Sequence, residues 1–387
     1  MVTRVIVAPD KFKGSLTATA VAASVAAGLR RAAADLEVVQ NPVADGGDGT
    51  LEAALDAGYE RVPVRVCGPL GDPVDTAYAV RDGTAVVEMA DACGLVRMPP
   101  GQLAPLKASS AGLGEVVRAA LDAGCARVVV GIGGSASTDG GAGMLGALGA
   151  RFLDADGVDL PLGGGALTSL DRVDLSRLHP GLDRAEVVLA TDVDNPLLGP
   201  RGAPAVYGPQ KGASPADIEV LDAALARLSQ VLGTATGAGS RGHPAATLPG
   251  AGAAGGVGFA ALAVLGASAR PGIELMLELT GFHDKLPGTA LVITGEGSLD
   301  LQTLAGKAPA GVAAAARAHR IPVVAVAGRC LLDGAQLADA GISAAYALTD
   351  LEPDPARCMT EARPLLQRLS ERIAQEWLLN RNRATEG

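Results

Sequence analysis

Short apolar runs that end on glycine-bearing loops and open into helical stretches occur twice at the head of the chain, and their pattern returns only near its end. Arg4-Val-Ile-Val-Ala8 runs into Asp10-Lys-Phe-Lys-Gly-Ser15. An Ala-rich helix over about 17–34 follows, with Ser15 or Thr17 placed to cap it. Leu36-Glu-Val-Val-Gln40 leads into Asp45-Gly-Gly-Asp-Gly49 and a second helix to Ala57. Ala290-Leu-Val-Ile-Thr294, Pro322-Val-Val-Ala-Val-Ala327 and residues 343–348 repeat the strand signal. A helix lies around 309–319, and an amphipathic helix over 363–379 closes the chain. Strands that alternate with helices in this way belong to a parallel α/β sheet. Two from the front and three from the back make one five-stranded sheet.

The middle of the chain reads differently. Residues 62–66, 76–80 and 85–89 have the pattern of antiparallel strands, with Asp82-Gly83 as a hairpin turn. Residues 127–132 and 186–190 are further apolar runs, and Ser214-Pro215 opens a helix toward Leu232. The expectation is an α/β domain formed by 1–62 and 288–387, with a second α/β domain, 63–287, inserted into it. A length of 387 residues is enough for two cores.

A net charge of −10 without any basic run argues against nucleic acid as a partner. Five scattered cysteines without a CxxC pair suit reduced thiols of a cytoplasmic protein. Residues 244–269 carry no charge, but they are mostly Gly and Ala. A membrane span needs about 20 strongly apolar residues, so this stretch reads as a glycine turn entering a buried helix. No membrane partner is expected; a homo-oligomer is compatible with the sequence but not argued by it.

Lysine is scarce, and its placement points to anions. Four of the six lysines, Lys11, Lys13, Lys211 and Lys307, stand in or beside glycine loops that also carry acids and hydroxyls. Glycine lets backbone N–H groups approach a phosphate, and lysine supplies a compact charge. In an open parallel sheet, ligands bind beyond the carboxyl ends of the strands, where the strand order reverses. For a flavodoxin-like order 2-1-3-4-5, the loops there are Asp10–Ser15 and Thr294–Asp300. The middle region adds Gly131-Ile-Gly-Gly-Ser-Ala-Ser-Thr-Asp-Gly-Gly-Ala-Gly143, Asp192-Val-Asp-Asn-Pro196 and Gly208-Pro-Gln-Lys-Gly212. Backbone donors, hydroxyls, carboxylates and cations together are what phosphoryl transfer needs.

Other motifs fall short. Gly141-Ala-Gly-Met-Leu-Gly146 matches GxGxxG, but it begins about nine residues after the strand, so helix packing explains it better than a dinucleotide. No Walker GxxxxGK[ST] occurs, since Ala308 follows Gly306-Lys307. The four histidines suggest neither a triad nor a metal site. Asp45–Gly49 alone reads as a surface turn, and Asp192–Pro196 as a helix cap or a turn.

Seven motifs in one order, from Asp10-Lys-Phe-Lys-Gly-Ser15 and Ala44-Asp-Gly-Gly-Asp-Gly-Thr50 to Gly252-Ala-Ala-Gly-Gly256 and Thr294-Gly-Glu-Gly-Ser-Leu-Asp300, resemble the bacterial glycerate kinase family over about residues 4–376. The set also includes Gly133–Gly141, Asp192–Leu197 and Gly208–Gly212. The resemblance implies ATP-dependent phosphorylation of D-glycerate, commonly at the 2-hydroxyl. It also implies a flavodoxin-like domain and an inserted domain resembling a restriction-endonuclease fold, with the active site between them. On chemical grounds, Lys11 and Lys13 bind phosphate or the transferring group, aided by Gly133, Gly134 and Ser135. Glu296 and Asp300, or Asp45 and Asp48, position Mg2+. Asp192 is the preferred base, with Asp194 its substitute, and Asp10 belongs to the substrate side. Lys211, Lys307 or Arg329 pairs with the substrate carboxylate, Lys211 and Lys307 being also candidate ATP contacts. A nicotinamide-dependent oxidoreductase and a non-catalytic sugar-acid sensor are the competing readings; NAD(P) binding would mark the first, and tight glycerate binding without ATP turnover the second.

Overall fold

The computed structural model describes residues 3–239, 242–304 and 306–379. In chain order, β1 (Arg4–Pro9) and β2 (Glu37–Gln40) come first. Then follow β3 (Glu60–Cys67), β4 (Pro73–Arg81), β5 (Thr84–Glu88), β6 (Arg127–Gly131), β7 (Arg151–Leu153), β8 (Arg172–Asp174), β9 (Glu186–Ala190) and β10 (Ser268–Arg270). The chain ends with β11 (Thr289–Leu299), β12 (Val323–Cys330) and β13 (Ala344–Ala347). It divides into two compact units, Met1–Asp45 with Glu52–Gly58 and Ile273–Gly387, and Gly46–Leu51 with Tyr59–Gly272.

The first unit is built on the sheet β13-β12-β11-β1-β2, all parallel, which is the expected 2-1-3-4-5 order. Alternation along β1 decides its two faces. Val5 and Val7 pack with Val25 and Leu29 of the helix Ala18–Ala32 and with Leu366 and Leu369 of the helix Ala362–Ala374. Ile6 and Ala8 point the other way, into a cluster with Val312 of the helix Ala308–Arg317 and Ile273 and Leu277 of the helix Gly272–Leu279. Burial on both faces is why these strands read as continuous apolar runs. Gly28 lets the two helices of the first face meet closely: a Cβ there would lie 2.2 Å from the Gln367 carbonyl oxygen.

The second unit carries the mixed sheet β10-β9-β6-β5-β4-β3, with β7 and β8 as a separate antiparallel pair. β5, β6, β9 and β10 are parallel; β4 runs antiparallel to β3 and β5. Asp82 and Gly83 both have positive φ, 49° and 74°, as the tight hairpin between β4 and β5 requires. The helix Pro215–Ala235 starts as its sequence indicates, with Ser214 and Asp217 forming a capping box.

Three boundaries differ from the sequence reading. The expected junction at 62/63 falls inside β3, whose whole length pairs with β4. The one at 287/288 falls after the helices Gly272–Leu279 and Phe282–Lys285, although Ile273, Leu277 and Phe282 bury their side chains in the first unit. Their apolar faces, invisible to a boundary drawn at a strand, set the division. The third concerns β11, which runs through Gly295-Glu-Gly to Leu299, so the acidic segment expected as a loop is strand paired with β12 up to Cys330. The glycine at 295 permits this approach, since a Cβ would lie 2.2 Å from the Val326 carbonyl oxygen.

Candidate active site

At the carboxyl end of β1 the chain leaves the sheet at Asp10, whose amide donates to the carbonyl of Gly295 on β11 at 2.8 Å. This is the switch point of the first sheet, where β1 and β11 neighbour one another while their connections depart to opposite sides. Phe12 is buried in the core, and the Phe12 and Leu16 backbones bond to each other at 2.8 and 2.9 Å. Its ring thus anchors a tight turn, with Gly14 at φ 78°, that carries Lys11 and Lys13 on either side. The aromatic anchor inside the lysine motif is a role that sequence reading passed over.

Four carboxylates share this corner electrostatically. Burial, and then the charge of Asp45, pushes the Asp10 carboxyl up to about 7, against the opposing amide bond and charge of Lys11. Glu296 is held above its usual range, again chiefly by burial. Thr303 donates to Glu296, and the Lys307 charge opposes the shift while Asp300 and Asp45 add to it. Asp300 caps its own turn by accepting from Gln302 N at 2.8 Å. Lys307 Nζ donates to Gln302 Oε1 at 3.1 Å, and Arg329 Nε to Ser298 Oγ at 3.0 Å. Asp10, Lys11, Asp45, Glu296, Asp300 and Lys307 therefore belong to one neighbourhood of the first unit. A carboxyl group that titrates near neutrality is suited to take a proton from a hydroxyl.

The parallel strands of the second sheet end at Glu88, Gly131 and Ala190, which are in register with one another. After Gly131 comes the glycine–hydroxyl loop, with Gly133 and Gly134 at its accessible tip. Lys211 is only 2% exposed and does not face solvent. Its ammonium donates to Ser135 Oγ at 2.8 Å and to the Ser137 carbonyl. Burial lowers it to about 8 against the opposing charge of Asp139. Lys211, expected as a contact for ATP or the substrate carboxylate, thus shapes the loop from within. Ser137 Oγ and Thr138 Oγ1 are buried with no hydrogen-bond partner, two polar groups of the loop that the protein leaves uncommitted. Asp139, also buried, accepts from Ser110 N at 2.8 Å, Gly141 N at 3.1 Å and Gly143 N at 3.2 Å, tying the loop to the next helix. Gly143 of the GxGxxG match is a packing residue, since a Cβ would lie 2.2 Å from Ser109 Oγ.

Other candidates are placed less favourably. Asp192 is exposed, and its Oδ1 accepts from the amide of Gly272 at 3.0 Å, the helix-cap reading of that motif. Asp194 is exposed and lies 3.6 Å from Arg201. Asp48 belongs to the second unit, where its charge bears on Glu88. Glu88 itself escaped the sequence reading, because it ends an ordinary strand 39 residues from the backbone it holds. Among the described residues, no three His, Cys, Asp or Glu form a group that would hold a metal ion. The four proposed Mg2+ ligands are accordingly not a ready-made cage. Hard oxygen donors remain, and Mg2+ commonly takes one or two carboxylates and fills its shell with phosphate and water. The carboxylates of the first unit fit that partial role.

Comparison with known proteins agrees with the motif order. The model of the glycerate kinase family matches residues 5–378. A glycerate kinase of Halalkalibacterium halodurans is 41% identical over 96% of this chain and 97% of its own. A glycerate 2-kinase of Escherichia coli is 42% identical over 89% and 90%. A crystal structure from Salmonella typhimurium LT2, assigned to glycerate kinase 2, superposes with a TM-score of 0.85 at 40% identity, covering 99% of this chain and all of that one. A flavodoxin-ordered sheet ending in acids and lysines, a glycine–hydroxyl loop in the second unit and matches along nearly the whole length lead to one conclusion: this chain belongs to the glycerate kinase family.

Proposed function

We propose that the protein transfers the γ-phosphoryl group of ATP to the 2-hydroxyl of D-glycerate, releasing 2-phosphoglycerate and ADP. The observation that carries the chemistry is Asp10, a half-buried carboxyl just past β1, held near neutrality beside Asp45 and Lys11. In this reading Asp10 takes the proton of the attacking hydroxyl, a role the sequence pointed toward Asp192. Lys11 and Lys13 offset the charge of the transferring phosphoryl group, and Lys307 or Arg329 meets the substrate carboxylate. The amides of Gly133, Gly134 and Ser135 are suited to phosphate oxygens. Mg2+, when bound, neutralises phosphate charge; Glu296 with Asp45 or Asp300 would supply its protein ligands.

A coupled ADP-release assay across D- and L-glycerate and related hydroxy acids tests the reading, with the product resolved by 31P NMR. D-glycerate is expected to be the best substrate, and its product to carry phosphate on C2. Phosphate on C3 would overturn the regiochemistry, and no ADP release with any hydroxy acid would overturn the function. Lys211→Met is a second check. Removing the donor to Ser135 and Ser137 is expected to loosen the loop, since a hydrogen bond to a charged group contributes about 1.5–3 kcal/mol, and through the loop to lower kcat/KM for ATP about tenfold. An unchanged kcat/KM for ATP in that variant would separate the loop from nucleotide binding.

A further inference from the structure

Gly46–Leu51, only six residues long, belongs to the second unit although the chain on both sides of it belongs to the first. The seat of this segment is made of glycine and one carboxylate. A Cβ on Gly46 would lie 2.8 Å from the carbonyl oxygen of Ala190, at the end of β9. A Cβ on Gly133 would lie 2.6 Å from Gly47 Cα, and the Gly133 amide donates to the Gly46 carbonyl at 3.3 Å. Thr50 Oγ1 closes the turn on the Gly47 carbonyl at 2.7 Å. Glu88, 5% exposed at the end of β5, completes the seat: its Oε2 accepts from Gly49 N at 3.2 Å and from Leu51 N at 2.9 Å.

We propose that Glu88 is a positioning residue for the reaction, fixing through Gly49 and Leu51 the segment that carries Asp48 and directly follows Asp45. The proposal rests on the reading of Asp10 and Asp45 as part of the reacting group. Two amides converging on one carboxylate oxygen define where the segment lies. The glycine contacts define how closely it approaches the strand ends, and beside the single 3.3 Å bond from the Gly133 amide to the Gly46 carbonyl, Glu88 supplies two. Without Glu88 both amides lose their acceptor, that of Leu51 in a buried place and that of Gly49 in a part-buried one, and the segment is free to shift to satisfy them. Asp45, one bond away from Gly46, moves with them. Glu88 is thus expected to act on turnover through the backbone, without touching substrate.

The test is a double-mutant cycle between Glu88→Ala and Asp45→Asn, read as kcat at saturating ATP and D-glycerate, with Glu88→Gln as the conservative control. Glu88→Ala is expected to lower kcat at least tenfold while the protein stays folded by circular dichroism. Glu88→Gln, whose amide oxygen still accepts from both N–H groups, is expected to remain within about threefold of the parent. In the Asp45→Asn background, Glu88→Ala should cost less than threefold, because both changes disable the same carboxylate. Effects that simply multiply would overturn the proposal, as would equal losses in the Ala and Gln variants. If Glu88→Ala fails to fold, Glu88→Gln combined with hydrogen exchange at Gly49 and Leu51 decides: unprotected amides in a fully active protein would sink it. Asp45→Asn with parental kcat would instead overturn the reading of the acidic group, and with it this route for Glu88.

Discussion

Asp10→Asn should lose at least about a hundredfold in kcat, the usual contribution of a positioned general base, and at the same time make the protein more stable at pH 8. The two effects share one cause. Burial and the charge of Asp45 raise the Asp10 carboxyl from 3.8 to about 7, so the folded state favours its protonated form. The stability that Asp10 contributes is therefore complete below about pH 4 and is lost as pH rises through 7, where the folded state must carry a buried charge. An isosteric neutral amide avoids that cost, and at about 1.4 kcal/mol per pH unit of displacement the gain at pH 8 is about 2 kcal/mol or more. Urea denaturation of parent and variant at pH 5 and pH 8 measures it; the difference is expected to shrink toward pH 5. Parental kcat/KM should rise with pH to a plateau above about 7, a limb absent from the variant's residual activity. A variant that is inactive but less stable at pH 8 would contradict the buried-charge account, and one that is fully active would remove Asp10 from the chemistry.

Gly46→Ala is expected to have the next largest effect, by a steric route. Gly46 has φ 86°, where a side chain is strained, and its missing Cβ faces the Ala190 carbonyl oxygen at 2.8 Å and the Ala190 Cβ at 2.9 Å. Neither neighbour is the far end of a flexible side chain, so the clash is relieved only by moving the segment off the strand ends. Left-handed strain alone costs about 1–3 kcal/mol, and a shift of Gly46 carries Asp45 with it. The expected result is a stability loss of about 2 kcal/mol or more and a kcat reduced more than tenfold. Gly49→Ala is the comparison: φ is also positive, at 102°, but nothing lies within 4 Å of the added Cβ. It should show the strain without the displacement. Equal kinetics for the two variants would mean that the contact with Ala190 does not govern the segment.

The lysines show where sequence reading stops. All four loop lysines were legible as anion contacts because glycine neighbours are local. Lys11 and Lys13 do flank a turn at a strand end, and Lys307 does reach the Glu296 neighbourhood. Lys211 has the same kind of loop, yet its ammonium turns inward to Ser135 and Ser137. Lys285, with no glycine loop, is a structural donor to Asn41 and to the Thr280 carbonyl. Whether a cation meets a ligand or the protein depends on residues 74 or 244 positions away, and no spacing rule reports them.

Residue order alone determined the five-stranded parallel sheet, its 2-1-3-4-5 order and the family, since apolar period, glycine loops and motif order are carried in short windows. The tertiary structure alone decided that burial and the charge of Asp45 raise the Asp10 carboxyl at that switch point, that Gly46–Leu51 crosses to the second unit, and that Glu88 and Lys211 lie inside it. Those facts come from burial and from pairings across tens to hundreds of residues. A carboxyl held near neutrality, or an ammonium lowered to about 8, is a property of the packed surroundings and not of the residue that carries it.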